Sequence, residues 1–196
     1  MSDIVSSTHL LEAAGPGYLW LLVRHRALVA AAVERQGGEF LSHAGDSTLA
    51  VFDRPENALV AAVEAQQALG AEPWPDGLAV RVRMGVHTGD VYDAGGEPVG
   101  LAINHGARVM AAAAPGQVTV SPAVVVDGVA ARLARAGVVL ADAGRHTMRD
   151  HTGPVRLRQV VADGVTVVVP PPPAQVPGVE PVVAGAVVPA SRRARG

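Results

Sequence analysis

Between Gly17 and Val161 the sequence switches repeatedly between helical and extended apolar periods, and this order restricts the fold more than any other feature. Tyr18, Leu22, His25, Leu28 or Val29, and Ala32 recur on one face of a helix over 17–36, which Gly37-Gly38 stop. Glu39 to Leu41 and Thr48 to Phe52 read as two strands around His43-Ala44-Gly45-Asp46-Ser47, a hairpin with a Gly-Asp turn. Asp53 is a candidate N-cap for a helix that carries Pro55 and Glu56 in its first turn and ends at Leu69, before Gly70. Ala79 to Val86 reads as a strand in which Gly85 marks a bulge or a close approach. After a loop rich in Gly, Asp and Pro come a helix (101–113), a strand (117–120), a helix (122–136), a strand (138–140) and a last strand (155–161). With one strand in front, the opening is βαββαβ, an α+β, ferredoxin-like arrangement. Met1-Ser2 is too short to supply that strand, so the first strand is expected to be largely missing.

The folded domain is expected over residues 1–162, followed by a Pro-, Val- and Ala-rich tail over 163–196 that reads as extended and disordered. Val165 to Val169 is a candidate edge strand within it. The 196 residues suit one domain and a tail, and 49% hydrophobic residues with a net charge of −2 suit a globular core. Aromatics are only 3%, so that core must be built from small and β-branched side chains.

Several functions are excluded by what the chain lacks. Without Cys there are no disulfides, thiolate metal sites or Cys nucleophiles. All 16 basic residues counted as Lys or Arg are Arg, which excludes Schiff-base chemistry and a P-loop lysine. No apolar run is long enough to span a membrane, and no signal peptide is evident, so a cytoplasmic protein without a membrane partner is expected. The balanced charge offers no field for nucleic acid. The seven His show no zinc spacing.

Five segments, in order, carry a family resemblance: Ser2-Asp3-Ile4-Val5-Ser6-Ser7-Thr8, Gly37 to Asp46, Val82 to Gly89, Gly100-Leu101-Ala102-Ile103-Asn104-His105-Gly106-Ala107-Arg108, and Gln117 to Ser121. Together they resemble the catalytic domain of class III adenylate and guanylate cyclases of bacterial type, over Ser2 to about Val161. The resemblance implies attack of a ribose 3′-hydroxyl on the α-phosphate of a nucleoside triphosphate, with two Mg²⁺ or Mn²⁺ per site. Hard cations want oxygen ligands, and Asp3 and Asp46 match the two metal aspartates, with the Ile4 backbone beside them. Taken alone, a Gly-Asp turn is ordinary turn chemistry.

Ser7 and Thr8 fall where a helix N-terminus can hold phosphate. Asn104 and Arg108, four apart on one helix face, match the ribose-orienting Asn and the charge-stabilising Arg. Arg83 and Arg149 resemble phosphate ligands. Ser42 stands where adenylate cyclases place a purine-reading Lys, and Glu97 stands at its partner position. Ser6 and Ser47 replace residues that are more often Gly. The implied protein is a homodimer whose sites lie across the interface, acting on ATP in preference to GTP. The alternative is a cyclase-like module that binds nucleotide or dimerises without turnover.

Overall fold

The computed structural model describes residues 1–149 and 153–169, without the side chains of 42–44. The elements are β1 (Ser2–Ile4), α1 (Ser7–Ala14), α2 (Tyr18–Arg35), β2 (Glu39–Ala44), β3 (Ser47–Val51), α3 (Pro55–Ala71), β4 (Val82–Val86), β5 (Tyr92–Asp93), β6 (Pro98–Val99), α4 (Leu101–Ala111), β7 (Val118–Val120), α5 (Val129–Arg135), β8 (Val139–His146) and β9 (Val155–Val161). Seven strands form one mixed sheet in the order β2-β3-β1-β4-β7-β9-β8. β4 and β7 are parallel, and every other neighbouring pair is antiparallel. β5 and β6 form a separate small hairpin.

Strand alternation sends Val82 and Met84 to one face of the sheet, where they join Ile4, Leu21, Leu59, Val63, Val118 and Val120 beneath α2, α3 and α5. Nearly all of this core is aliphatic, as the composition requires. Gly85 and Thr119 pair across β4 and β7 and face the other side, under α4. There Val109, Ala143, Met148 and Leu157 make a smaller cluster. Thr119 Oγ1 donates to the Val109 carbonyl at 2.6 Å, which fixes the buried hydroxyl.

The first strand, expected to be largely missing, is present as three residues. Ser2 pairs with Thr48 on β3 and Met84 on β4, so β1 sits centrally between them. Met1 extends the pairing: its amino group donates to the Gly85 carbonyl at 2.9 Å. Burial lowers that amine to a pKa of about 6.

Four local readings change. Asp53 does not cap α3; Arg54 occupies the cap in an extended conformation without a side-chain capping bond. The helix expected over 122–136 is a 3₁₀ turn at Pro122–Val124 followed by the short α5, entered through Gly128 at φ 81°. The strand expected over 138–140 is the eight-residue β8. Val165 to Val169 is not a strand but is packed against the domain: Val165 is buried, and Thr166 N–H donates to the Gly116 carbonyl at 3.0 Å. The Gln159 amide brackets Val168, donating to its carbonyl at 2.6 Å and accepting from its N–H at 2.9 Å. The rest of the expected tail, 170–196, lies outside the described residues.

Gly85 has the close approach its position suggested. A Cβ there would lie 2.3 Å from the Met110 backbone nitrogen, so α4 rests directly on this strand. Gly85→Ala is expected to force α4 off β4 and destabilise the fold by about 3 kcal/mol, measured by urea denaturation.

Candidate active site

One end of the sheet gathers the first group of candidate residues. Asp3 lies opposite Arg83 in the β1–β4 register. Arg83 donates to Asp3 Oδ2 from Nη2 at 2.6 Å and from Nε at 3.0 Å. Asp3 Oδ1 accepts from the Ser47 hydroxyl at 2.7 Å. Ser47 follows Asp46 at the tip of the β2–β3 hairpin, so this bond brings the turn to β1. Arg83 therefore points toward Asp3. Ile4 buries its side chain in the core and pairs with Val82.

Three side chains of α2 complete this end of the sheet, and the sequence pointed to none of them as site residues. Arg26 donates from Nη2 to the Gly45 carbonyl, holding the turn just before Asp46. Burial and then the Asp46 carboxylate hold the Tyr18 phenol above its usual range, while a hydrogen bond with Ser7 and the charge of Arg26 oppose them. His25 is fully buried, and among the described residues neither ring nitrogen has a hydrogen-bond partner. Burial, then the Arg26 charge, lowers its pKa to about 4 against the pull of Asp46 and Asp3. The one signal available for His25 was its place on the apolar face of α2.

Ser7 and Thr8 open α1, next to β1. Ser6, its N-cap, has φ 57° and ψ 39°, the left-handed region that costs a non-Gly residue roughly 1–2 kcal/mol. This is the position where the resemblance leads one to expect Gly.

The remaining candidates sit on other elements. Asn104 is exposed on α4, and Arg108, one turn on, donates to the Arg149 carbonyl in the loop after β8. Glu97 is exposed in the β5–β6 turn, where its carbonyl accepts from Ala94 N–H at 2.8 Å. Ser42 pairs with Leu49 in the hairpin. The chain thus groups Asp3, Asp46, Ser7 and Arg83 around β1, and carries Asn104, Arg108, Arg149 and Glu97 on α4 and the loops beyond it.

Asp3 and Asp46 supply hard oxygen donors of the kind Mg²⁺ and Mn²⁺ take. Among the described residues no group of three or more His, Asp or Glu converges. A cation held here would complete its shell with water or phosphate oxygens, as Mg²⁺ commonly does.

The fold has relatives of known structure. No family profile matches the sequence. An adenylate/guanylate cyclase/hydrolase from Silicibacter pomeroyi aligns over 83% of this chain and 94% of its own, at 29% identity and a TM-score of 0.62. Adenylate cyclases from Trypanosoma brucei in their monomeric state align over 81% of this chain and 85% of theirs, at 20% identity and a TM-score of 0.72. In sequence, the chain is 28% identical over 160 residues to a Rhizobium meliloti protein whose name assigns it, provisionally, to the adenylate cyclases. That match covers 80% of this chain and 26% of the relative. An uncharacterized Mycobacterium tuberculosis protein is 35% identical over 118 residues, 60% of this chain and 30% of the relative. The chain spans less than a third of the length of both these relatives. This is the catalytic-domain fold of the class III adenylate and guanylate cyclases, and the chain resembles that class in both sequence and structure.

The buried imidazole has a measurable consequence. A base whose folded pKa is lowered binds fewer protons folded than unfolded between the two values, so stability rises with pH across that window. For His25 the window runs from about 4 to the ordinary 6.5. Acidification from pH 7 to pH 4 is expected to remove up to about 3 kcal/mol through this residue, and His25→Leu to flatten the slope, followed by chemical denaturation at stepped pH.

Proposed function

We propose that the chain is the catalytic domain of a nucleotide cyclase, converting ATP in preference to GTP to the 3′,5′-cyclic nucleotide and pyrophosphate. It acts in the cytoplasm, as a homodimer with two Mg²⁺ or Mn²⁺ per site. The observation that carries the reading is the convergence of Asp3 and the Asp46 turn at one sheet end, with Arg83 on the Asp3 carboxylate. No helix among the described residues is long and apolar enough to cross a membrane.

In the reaction the 3′-hydroxyl gives up its proton, its oxygen bonds to the α-phosphorus, and the bond to the bridging oxygen breaks to release pyrophosphate. Bound divalent metal would lower the pKa of that hydroxyl and neutralise the triphosphate. Asp3 and Asp46 would hold the metal. Arg83, which pairs with Asp3, would bind the terminal phosphates, and the first turn of α1 at Ser7 and Thr8 would turn backbone N–H groups to phosphate. Arg108, always charged and forked, would stabilise charge on the α-phosphate while Asn104 orients the ribose. Ser42 and Glu97 would face the purine.

Dimerisation is supported by two features. The metal-binding and ribose-handling residues sit on different elements, which suits a site completed by the partner's copy. Tyr92, Val99 and Leu101 leave large apolar side chains exposed where β5–β6 meets α4.

A second reading, a nucleotide-binding or dimerising module without turnover, is favoured by the engagement of both Asp3 oxygens within the protein. Purified protein given ATP or GTP with Mn²⁺ is expected to yield cyclic product by chromatography, and Asp46→Ala to reduce it about 100-fold or more. No product from either nucleotide, at concentrations that ensure dimers, selects the second reading. Because Arg83 competes for Asp3, Arg83→Gln is expected to tighten Mn²⁺ binding severalfold in calorimetry without nucleotide, while raising KM for the triphosphate. Unchanged metal affinity would show that the ion pair does not guard the carboxylate.

A further inference from the structure

Leu22 and Val29 of α2 pack on the main core, and Arg26 lies between them at helical spacing, four residues after one and three before the other. An apolar side chain would suit that place better. Instead the guanidinium turns to the β2–β3 hairpin and donates from Nη2 to the Gly45 carbonyl. Its Nε is buried without a hydrogen-bond partner, and so are both ring nitrogens of His25, the residue before it. Three of the four such side-chain nitrogens among the described residues therefore fall on two consecutive residues of α2. Unmet buried polar groups weaken a fold, so their concentration beside one turn marks a use other than stability.

The Gly45 carbonyl belongs to the peptide unit that joins Gly45 to Asp46. Holding it fixes the plane from which the Asp46 side chain springs. Gly45 and Asp46 form a two-residue turn closed by the Ala44–Ser47 pair, with Gly45 at φ 61°. Packing does not hold this turn, since a Cβ on Gly45 would meet no atom within 4 Å. Hydrogen bonds hold it instead. Arg26 fixes the peptide before Asp46, and the Ser47 hydroxyl, bonded to Asp3 Oδ1 at 2.7 Å, fixes the residue after it. Between these two anchors the Asp46 carboxylate itself takes no hydrogen bond or ion pair among the described residues. Both oxygens of Asp3, by contrast, are engaged.

We propose that Arg26 is a positioning residue, whose bond to Gly45 sets the direction of the Asp46 carboxylate before a divalent cation arrives. This rests on the reading of Asp46 as a metal ligand. Arg26 touches neither metal nor substrate; it acts through the peptide it holds, as the outer partners of metal ligands do. Its charge works the other way. A fixed positive charge repels a divalent cation, so by charge alone the loss of Arg26 would tighten metal binding. Positioning has the opposite sign.

Mn²⁺ binding to the full-length chain without nucleotide, followed by electron paramagnetic resonance, separates the two. Arg26→Met keeps the aliphatic bulk and loses both donor and charge, and the Mn²⁺ dissociation constant is expected to rise about tenfold or more. Arg26→Gln, too short to reach Gly45, is expected to do the same and carries the test if the Met variant does not fold. The bond to Gly45 uses one nitrogen rather than a fork, so Arg26→Lys is expected to recover affinity to within about threefold of the natural chain. In an Asp46→Ala background, Arg26→Met is expected to change Mn²⁺ binding no further, because the two residues act as one unit.

Unchanged or tighter binding in Arg26→Met, no recovery in Arg26→Lys, or an equal further loss in the Asp46→Ala background overturns the positioning role and leaves the metal reading standing. Mn²⁺ binding that Asp46→Ala does not weaken overturns the metal reading itself, and the positioning role falls with it.

Discussion

Asp3 accepts the Ser47 hydroxyl on one oxygen and the Arg83 guanidinium on the other, and through these bonds three strands are tied at one end of the sheet. β1 has only three residues with which to hold its place between β3 and β4. Backbone pairing over so short a length is weak, so side-chain bonds from a half-buried carboxylate matter more than they would on a long strand. The same bonds fix the hairpin tip, which Arg26 grips from the other side through Gly45. Nearby on α2, burial and the Arg26 charge keep His25 neutral at ordinary pH against the pull of Asp46 and Asp3. Structure and candidate chemistry thus share one carboxylate.

The architecture was legible where a single period or a single Gly decided the matter. The β2–β3 hairpin, α4 and the close approach at Gly85 followed from alternation, from apolar spacing and from the one residue without a Cβ. β8 was underread because Asp142, Arg145 and His146 interrupt its apolar pattern; its length comes from pairing with β9 and from the Arg156–Asp142 ion pair, which no local period announces. The helix read from Pro122 onward failed at Val124-Val125-Val126, where β-branched residues disfavour helix, and at Gly128, which adopts a left-handed turn. Asp53 had the chemistry of a cap but the chain is extended through Arg54, one residue too late.

The candidate site was legible only as an ensemble of motifs. Asp3 and Asp46 are separated by more than forty residues, and each alone is an ordinary surface carboxylate; their common location depends on the central placement of β1. Tyr18, His25 and Arg26 were not legible as neighbours of the aspartates, because a helical period says which face is buried but not which strand end lies above it. Ser47, which looked like a departure, supplies the bond that closes the hairpin onto Asp3.

The Gln159 amide mimics a strand residue, offering Val168 one donor and one acceptor from a side chain. Gln117 donates to the same amide oxygen at 2.8 Å, so the bracket is itself anchored to the residue before β7. A pull on the polypeptide beyond Val169 would be carried first by this side chain and by the Thr166–Gly116 bond, and from there into the strands beside β4. Tension or torsion applied at that exit would thus be transmitted through Gly116, whose N–H bonds the Val82 carbonyl, to the strand that positions Arg83. The C-terminal exit is in this sense a mechanical handle on the sheet end that carries the Asp3–Arg83 pair.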